Sequence, residues 1–124
     1  MIQQIIMQFT LIFGPCHVNA VIVPELEMPA FRDVETGQIR HAWGYASNPI
    51  KLNDRFWRNA TDVQKRELMY HELGHECLGL LHPFNAWDYS IMNSIKNVTR
   101  PDGKNWDELV SKMYWKWKKK GRKK

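Results

Sequence analysis

His71-Glu72-Leu73-Gly74-His75-Glu76-Cys77-Leu78-Gly79-Leu80-Leu81-His82 contains three of the five histidines of this 124-residue chain. On a helix, residues four apart share a face, so His71 and His75 can turn two imidazoles toward one ion. Glu72 lies about 100° further round, beside such an ion rather than bound to it. A carboxylate there can take a proton from water on the metal. Gly79 can adopt a positive φ and end the helix, and Leu80-Leu81 then return His82 as a third ligand. Three protein ligands leave one position of a tetrahedral zinc open, as in a catalytic rather than a structural site. A structural site needs a fourth protein ligand. Cys77, the only nearby thiol, faces about 160° away from His75 at helical geometry. Ordinary helix histidines are the plain alternative; chance rarely adds Glu72, Gly79 and His82 as well.

The same spacing extends the helix upstream. Thr61-Asp62-Val63-Gln64 fits a capping box, with Thr61 at the cap and Gln64 three residues on. Met69, Leu73 and Cys77 make a core stripe. Lys65, Glu72 and Glu76 define a narrow polar strip, with Glu72 at the edge facing a cleft. Gly74 inside a helix costs about 1 kcal/mol relative to Ala, so close packing against a sheet is its expected reason.

The stretch resembles the zinc-binding helix of the metzincin metallopeptidases, whose pattern is H-E-x-x-H-x-x-G-x-x-H. Gly79 and His82 each come one position later than in that pattern. The chain is more closely similar to short metallopeptidase-like proteins of bacterial and phage genomes. Those read H-E-L-G-H, place the third His at this longer spacing and carry a downstream Ser-Ile-Met, here Ser90-Ile91-Met92. The likeness covers His71 to Met92. It implies a minimal metzincin-like fold, zinc on His71, His75 and His82, and Met92 as an apolar floor beneath the metal. The implied activity is cleavage of peptide bonds by a zinc-activated water, with Glu72 as general base. It also implies that a strand along the cleft pairs with an extended peptide substrate; by order, that strand is the segment around Trp43 to Ala46. Some metzincins place a Tyr two residues after the turn methionine, where this chain has Ser94. Tyr45 and Tyr89 are the candidates for stabilising the oxyanion.

In chain order, Ile2, Ile5, Ile6, Phe9, Ile12 and Phe13 recur at helical spacing and predict an amphipathic helix over 1–13. A signal peptide cleaved near Val18-Asn19-Ala20 is the alternative. The first residues carry no Lys or Arg and Gln8 interrupts the apolar core, which favours a cytoplasmic over a secreted protein. Val18 to Val23 reads as a buried strand, the residues between Pro24 and Pro29 as irregular, and Glu35 to Gln38 as a turn. Ile39 to Ala46 and Ile50 to Asn53 read as two strands of a hairpin, with Gly44 allowing close approach. Phe84, Trp87 and Tyr89 could line a pocket. A last helix is predicted from near Asn105, with an apolar stripe of Trp106, Leu109, Met113 and Trp117.

A hydrophobic content of 44% and a charged content of 25% are ordinary for a globular protein, and no apolar run reaches membrane-span length. The reading is one α+β domain over 1–117: a small sheet packed on the zinc-binding helix, with a C-terminal helix. Cys16 and Cys77 make no disulfide framework and are read as two free buried thiols, a single bridge being the alternative; Cys16-His17 is a weak metal signal. The net charge of +5 is uneven: eight of the 18 Lys and Arg follow Ser111 with no acid among them. Lys118 to Lys124 therefore reads as a disordered basic tail. It would bind a polyanion, nucleic acid or anionic membrane, with help from Trp115, or else serve only solubility.

Three functions remain open on these grounds. The first is the zinc peptidase. The second is a metal-dependent hydrolase of nucleic acid similar to the bacterial rRNA-maturation endoribonucleases. Their H-x-x-x-H-x-x-x-x-x-H pattern sets five residues between the last two histidines, against six here, and lacks Glu72. The third is a non-catalytic binding module with a structural metal, acting through its basic tail.

Overall fold

The computed structural model of the chain describes residues 1–83, 88–93 and 98–122. Helix α1 (Ile2–Phe13) buries Ile5, Ile6, Phe9 and Phe13, the face that its sequence spacing predicts. Phe9 stacks on Phe13 at 4.6 Å and meets the Tyr70 ring edge-on at 5.2 Å, which docks α1 against the metal-site helix α3 (Asp62–Leu78).

Strands β1 (Ala20–Val23), β4 (Gly44–Tyr45) and β5 (Ile50–Asn53) form one sheet in the order β1-β5-β4. β1 runs parallel to β5 and β4 antiparallel to it. The central strand β5 is the buried one, with Ile50 and Leu52 fully enclosed. β1 corrects the expectation of a buried strand over Val18 to Val23: it begins at Ala20, and Val21 and Ile22 are exposed. Its β-branched composition marks extended backbone, but composition does not separate an edge from a centre.

The predicted strand over Ile39 to Ala46 divides. Its first part, β3 (Ile39–His41), pairs antiparallel with β2 (Ala30–Arg32) as a separate ribbon. Its last part is β4, which forms the expected hairpin with β5. The turn between β2 and β3 is where the sequence puts it: Asp33 Oδ1 accepts from the Glu35 and Thr36 amides, and Gly37 has φ 72°. The ribbon's first strand and helix α2 (Asp54–Asn59) carried no recognised signal. α2 is opened by Asn53, whose side chain accepts from the Arg55 and Phe56 amides.

Helix α3 starts in the predicted capping box of Thr61 and Gln64 and stops at Gly79, φ 65°. Met69 and Leu73 are fully buried. Gly74 is tight for a different reason than expected. A Cβ there would fall 2.6 Å from Met92 Sδ and 2.7 Å from Met113 Cε, so two methionine side chains, not the sheet, pack closely on the glycine.

Helix α4 (Trp106–Arg122) packs Leu109, Val110 and Met113 into the core, with Trp106 and Trp117 partly buried against it. The disordered tail expected over Lys118 to Lys124 is corrected for its first part, because the helix runs on through Arg122. Lysine is a good helix former, and three lysines of this helix find partners within the protein, described below. Lys123 and Lys124 lie outside the described residues.

Cys16 and Cys77 are joined in a disulfide, not free. The docking of α1 returns the chain to the last turn of α3, and the Cα atoms stand 5.8 Å apart across 61 residues of sequence. Closing a loop of that length stabilises a chain by about 4 kcal/mol in the loop-entropy account. Helices and a small mixed sheet together make a small α+β fold, and no described helix is long and apolar enough to cross a membrane.

Candidate metal centre

His71 and His75 lie on one face of α3, and the turn after Gly79 folds His82 back onto them. The three Nε2 atoms form a triangle with sides of 3.0, 3.1 and 3.2 Å. A four-coordinate ion with metal–nitrogen bonds of about 2.0–2.1 Å sets its ligand atoms about 3.3 Å apart, so the triangle is close to the size such an ion needs.

The hydrogen bonds on the far side of the rings say more. His71 Nδ1 lies 2.8 Å from the Ile91 carbonyl and His75 Nδ1 2.7 Å from the Leu80 carbonyl. A carbonyl can only accept, so each Nδ1 carries the hydrogen and donates it. Burial, and then the neighbouring imidazoles, hold His71 down to about pKa 4 against the help of the Ile91 carbonyl. The His71 ring is therefore neutral near pH 7, and its Nε2 presents a bare lone pair to the other two. Burial and His75 also lower His82. The Nε2 lone pairs of His71 and His75, 3.2 Å apart, repel one another unless a cation or the N–H of His82 lies between them. Carbonyl-oriented imidazoles are the usual support of metal-ligating histidines. The donor set thus fits a divalent ion, and these three are the only such group of His, Cys, Asp or Glu found among the described residues. His71 and His75 are part-buried and His82 is exposed, so the site opens on the His82 side.

The sequence puts Glu72 on a polar strip, at the edge facing a cleft; the structure buries it. It is 5% exposed, because β4 covers it: a Cβ at Gly44 would sit 3.0 Å from Glu72 Cγ. Gly44 thus permits close approach, as its sequence context suggested, and what approaches is the site carboxylate. Glu72 Oε1 is 3.8 Å from His71 Nε2, and burial pushes its pKa up to about 7.

Met92 is buried against Gly74, in the helix turn that carries the histidines. Its turn is closed by the Asn93 amide donating to the Ser90 carbonyl at 3.0 Å. Ile91, inside that turn, provides the carbonyl that orients His71.

Tyr45 and Tyr89 are both exposed; Phe84, Trp87 and Ser94 lie outside the described residues. Cys77 is in the disulfide, which removes it, and the Cys16-His17 pair, as metal ligands. The sequence reading missed Glu67, a buried carboxylate accepting from the Val98 and Thr99 amides at 3.1 and 2.5 Å. It also missed Asp88, which pairs with Lys112 and Lys116. The four-residue spacing of those lysines was visible in the sequence; their common partner was not.

Compared with protein-family models, curated proteins and solved structures, the chain has no match in any of the three.

Proposed function

We propose that this chain is a zinc-dependent hydrolase that cleaves peptide bonds. The observation that carries the proposal is the convergence of three Nε2 atoms, two of them oriented by backbone carbonyls, beside a buried carboxylate. His71, His75 and His82 would hold the ion. Zinc so bound supplies a Lewis acid and brings the pKa of its water to about 7.

Glu72 is suited to moving the proton. Its carboxylate is 3.8 Å from His71 Nε2, beside the set of three histidines rather than part of it. Its raised pKa brings it near neutrality, the range in which a general base works best. A bound cation would lower that value again. A carboxylate so placed takes a proton from the attacking water and returns it to the leaving amine.

Two features support a peptide over a nucleic acid. One is Glu72 itself, which the endoribonuclease pattern lacks. The other is β4, an edge of its sheet that lies directly against Glu72, where an extended peptide can add as a further strand. The structural-metal reading loses its one candidate fourth ligand with Cys77.

The test is elemental analysis of purified protein with a peptidase assay on unfolded protein substrates. One zinc per chain is expected, lost on changing any one of His71, His75 or His82 to Ala, together with hydrolysis that a chelator abolishes. Full zinc occupancy in the His82→Ala protein, or zinc without turnover, would overturn the reading.

A further inference from the structure

We propose that Lys112, Lys116 and Lys120 on α4 form a strap that positions the metal-binding histidines. The proposal rests on the metal-centre reading above.

These lysines are four residues apart and share one helix face. Lys112 Nζ donates to Asp88 Oδ1 at 2.9 Å and to the Tyr89 carbonyl at 3.1 Å. Lys116 Nζ donates to the other oxygen, Asp88 Oδ2, at 2.6 Å. Lys120 Nζ donates to the Gly79 carbonyl. The stripe is thus engaged within the molecule at three successive turns, and Lys120 belongs to the segment that the sequence reads as a polyanion-binding tail.

What it grips is the support of the site. The Asp88 carbonyl accepts from Asn93 Nδ2 at 2.7 Å and from the Ser90 amide at 3.1 Å, which closes the 88–93 turn. Inside that turn, Ile91 holds the His71 ring and Met92 packs on Gly74. At the other end, Gly79 is followed by Leu80, whose carbonyl holds the His75 ring, and three residues after Gly79 comes His82. Both carbonyls that fix a ligand tautomer therefore sit on short segments that a lysine ties to α4. Groups hydrogen-bonded directly to a ligand change metal affinity by about 10–100-fold when lost, and the lysines hold the segments that carry those groups.

An isolated exposed ion pair contributes little. Here two ammonium groups share one carboxylate whose side chain is 19% exposed, and the contact fixes a turn rather than a lone side chain. The lysines remain 44% and 40% exposed, so salt screens the strap in part.

The experiment uses the full chain and zinc, with affinity read by competition against a chromogenic chelator at low and high salt. The Co2+ form supplies a visible spectrum that reports ligand geometry. Lys112→Met with Lys116→Met keeps the stems and removes the charges; Lys112→Arg with Lys116→Arg keeps the charges. The Met pair is expected to weaken zinc binding roughly tenfold, to lose the salt dependence that wild type shows, and to shift the Co2+ spectrum, with the thermal midpoint of the zinc-free protein nearly unchanged. The Arg pair is expected to recover most of the affinity. Wild-type zinc affinity and salt dependence in the Met pair would overturn the strap. So would an Arg pair as weak as the Met pair, or a zinc-free midpoint that falls in step with affinity. A wild-type chain that binds no zinc would instead remove the metal centre, and the strap with it.

Discussion

Glu67 and Glu72 are five residues apart on α3, and each is 5% exposed. Their surroundings differ. Glu67 accepts two backbone amides, from Val98 and Thr99. Burial raises its pKa, and those hydrogen bonds pull it partly back. Glu72 has burial alone acting on it and accepts no hydrogen bond among the described residues. Its nearest basic group, His71, is neutral near pH 7. Equal burial therefore has two uses. Glu67 ties the 98–99 segment to the helix, while Glu72 keeps its oxygens available for a proton.

The sharpest way to break this comparison is to neutralise each carboxylate in turn. Glu72→Gln should lower turnover by about 10²–10⁴-fold with zinc content and thermal midpoint maintained. Glu67→Gln should leave turnover per folded molecule near wild type. Assays on zinc-loaded protein decide it, and equal losses from both would erase the distinction.

Next in size is the pH dependence of stability in zinc-free protein. The folded pKa of His71 is depressed to about 4 from 6.5. As pH falls between those values the unfolded chain takes up a proton that the folded one refuses, so acid costs stability, by about 3 kcal/mol in full. Glu72 has the opposite sign. Its folded pKa is raised from 4.5 to about 7, so its contribution is present below 4.5 and is lost as pH rises through 7, again by about 3 kcal/mol. The two offset each other between pH 4.5 and 6.5, and the lowered His82 and raised Glu67 oppose each other in the same sense. Denaturant titrations should give a nearly flat wild type across that window and a Glu72→Gln protein that weakens steadily on acidification. A flat Glu72→Gln profile would deny the His71 shift.

Glu67→Ala should cost about 1–3 kcal/mol, because it orphans two buried amides, while zinc stoichiometry stays at one. Loss of zinc from an otherwise folded Glu67→Ala protein would make this carboxylate part of the site after all.

The smallest effect concerns Met92, which packs on Gly74 of the same helix. Met92→Leu should cost less than about 1.5 kcal/mol, as volume-conserving apolar swaps do, with zinc retained. A large loss of zinc affinity would give the sulfur a role that its packing on Gly74 does not.

Much of α3 was legible because its signals are local. Thr61 and Gln64 cap one end, Gly79 the other, and a spacing of four puts His71 and His75 together whatever surrounds them. Places where the reading failed share a cause. The division of 39–46 between two sheets, the exposure of β1, the Cys16–Cys77 bond and the burial of Glu72 under Gly44 all depend on which distant segment arrives. Residue order does not encode that in any short window.

The sequence by itself determined the α+β class, the metal-site helix with its caps, and the three histidines as one candidate ligand set, because helical periodicity and glycine stereochemistry act within a few residues. Only the tertiary structure decided the state of those groups. It set the hydrogen on Nδ1 of His71 and His75 through the carbonyls of Ile91 and Leu80, and raised the pKa of Glu72 by covering it. It also paired Lys112 and Lys116 with Asp88, and brought Lys120 of the expected tail to the Gly79 carbonyl. Tautomer, desolvation and ion pairing are properties of what lies across a contact, and contacts between distant segments exist only once the chain has folded.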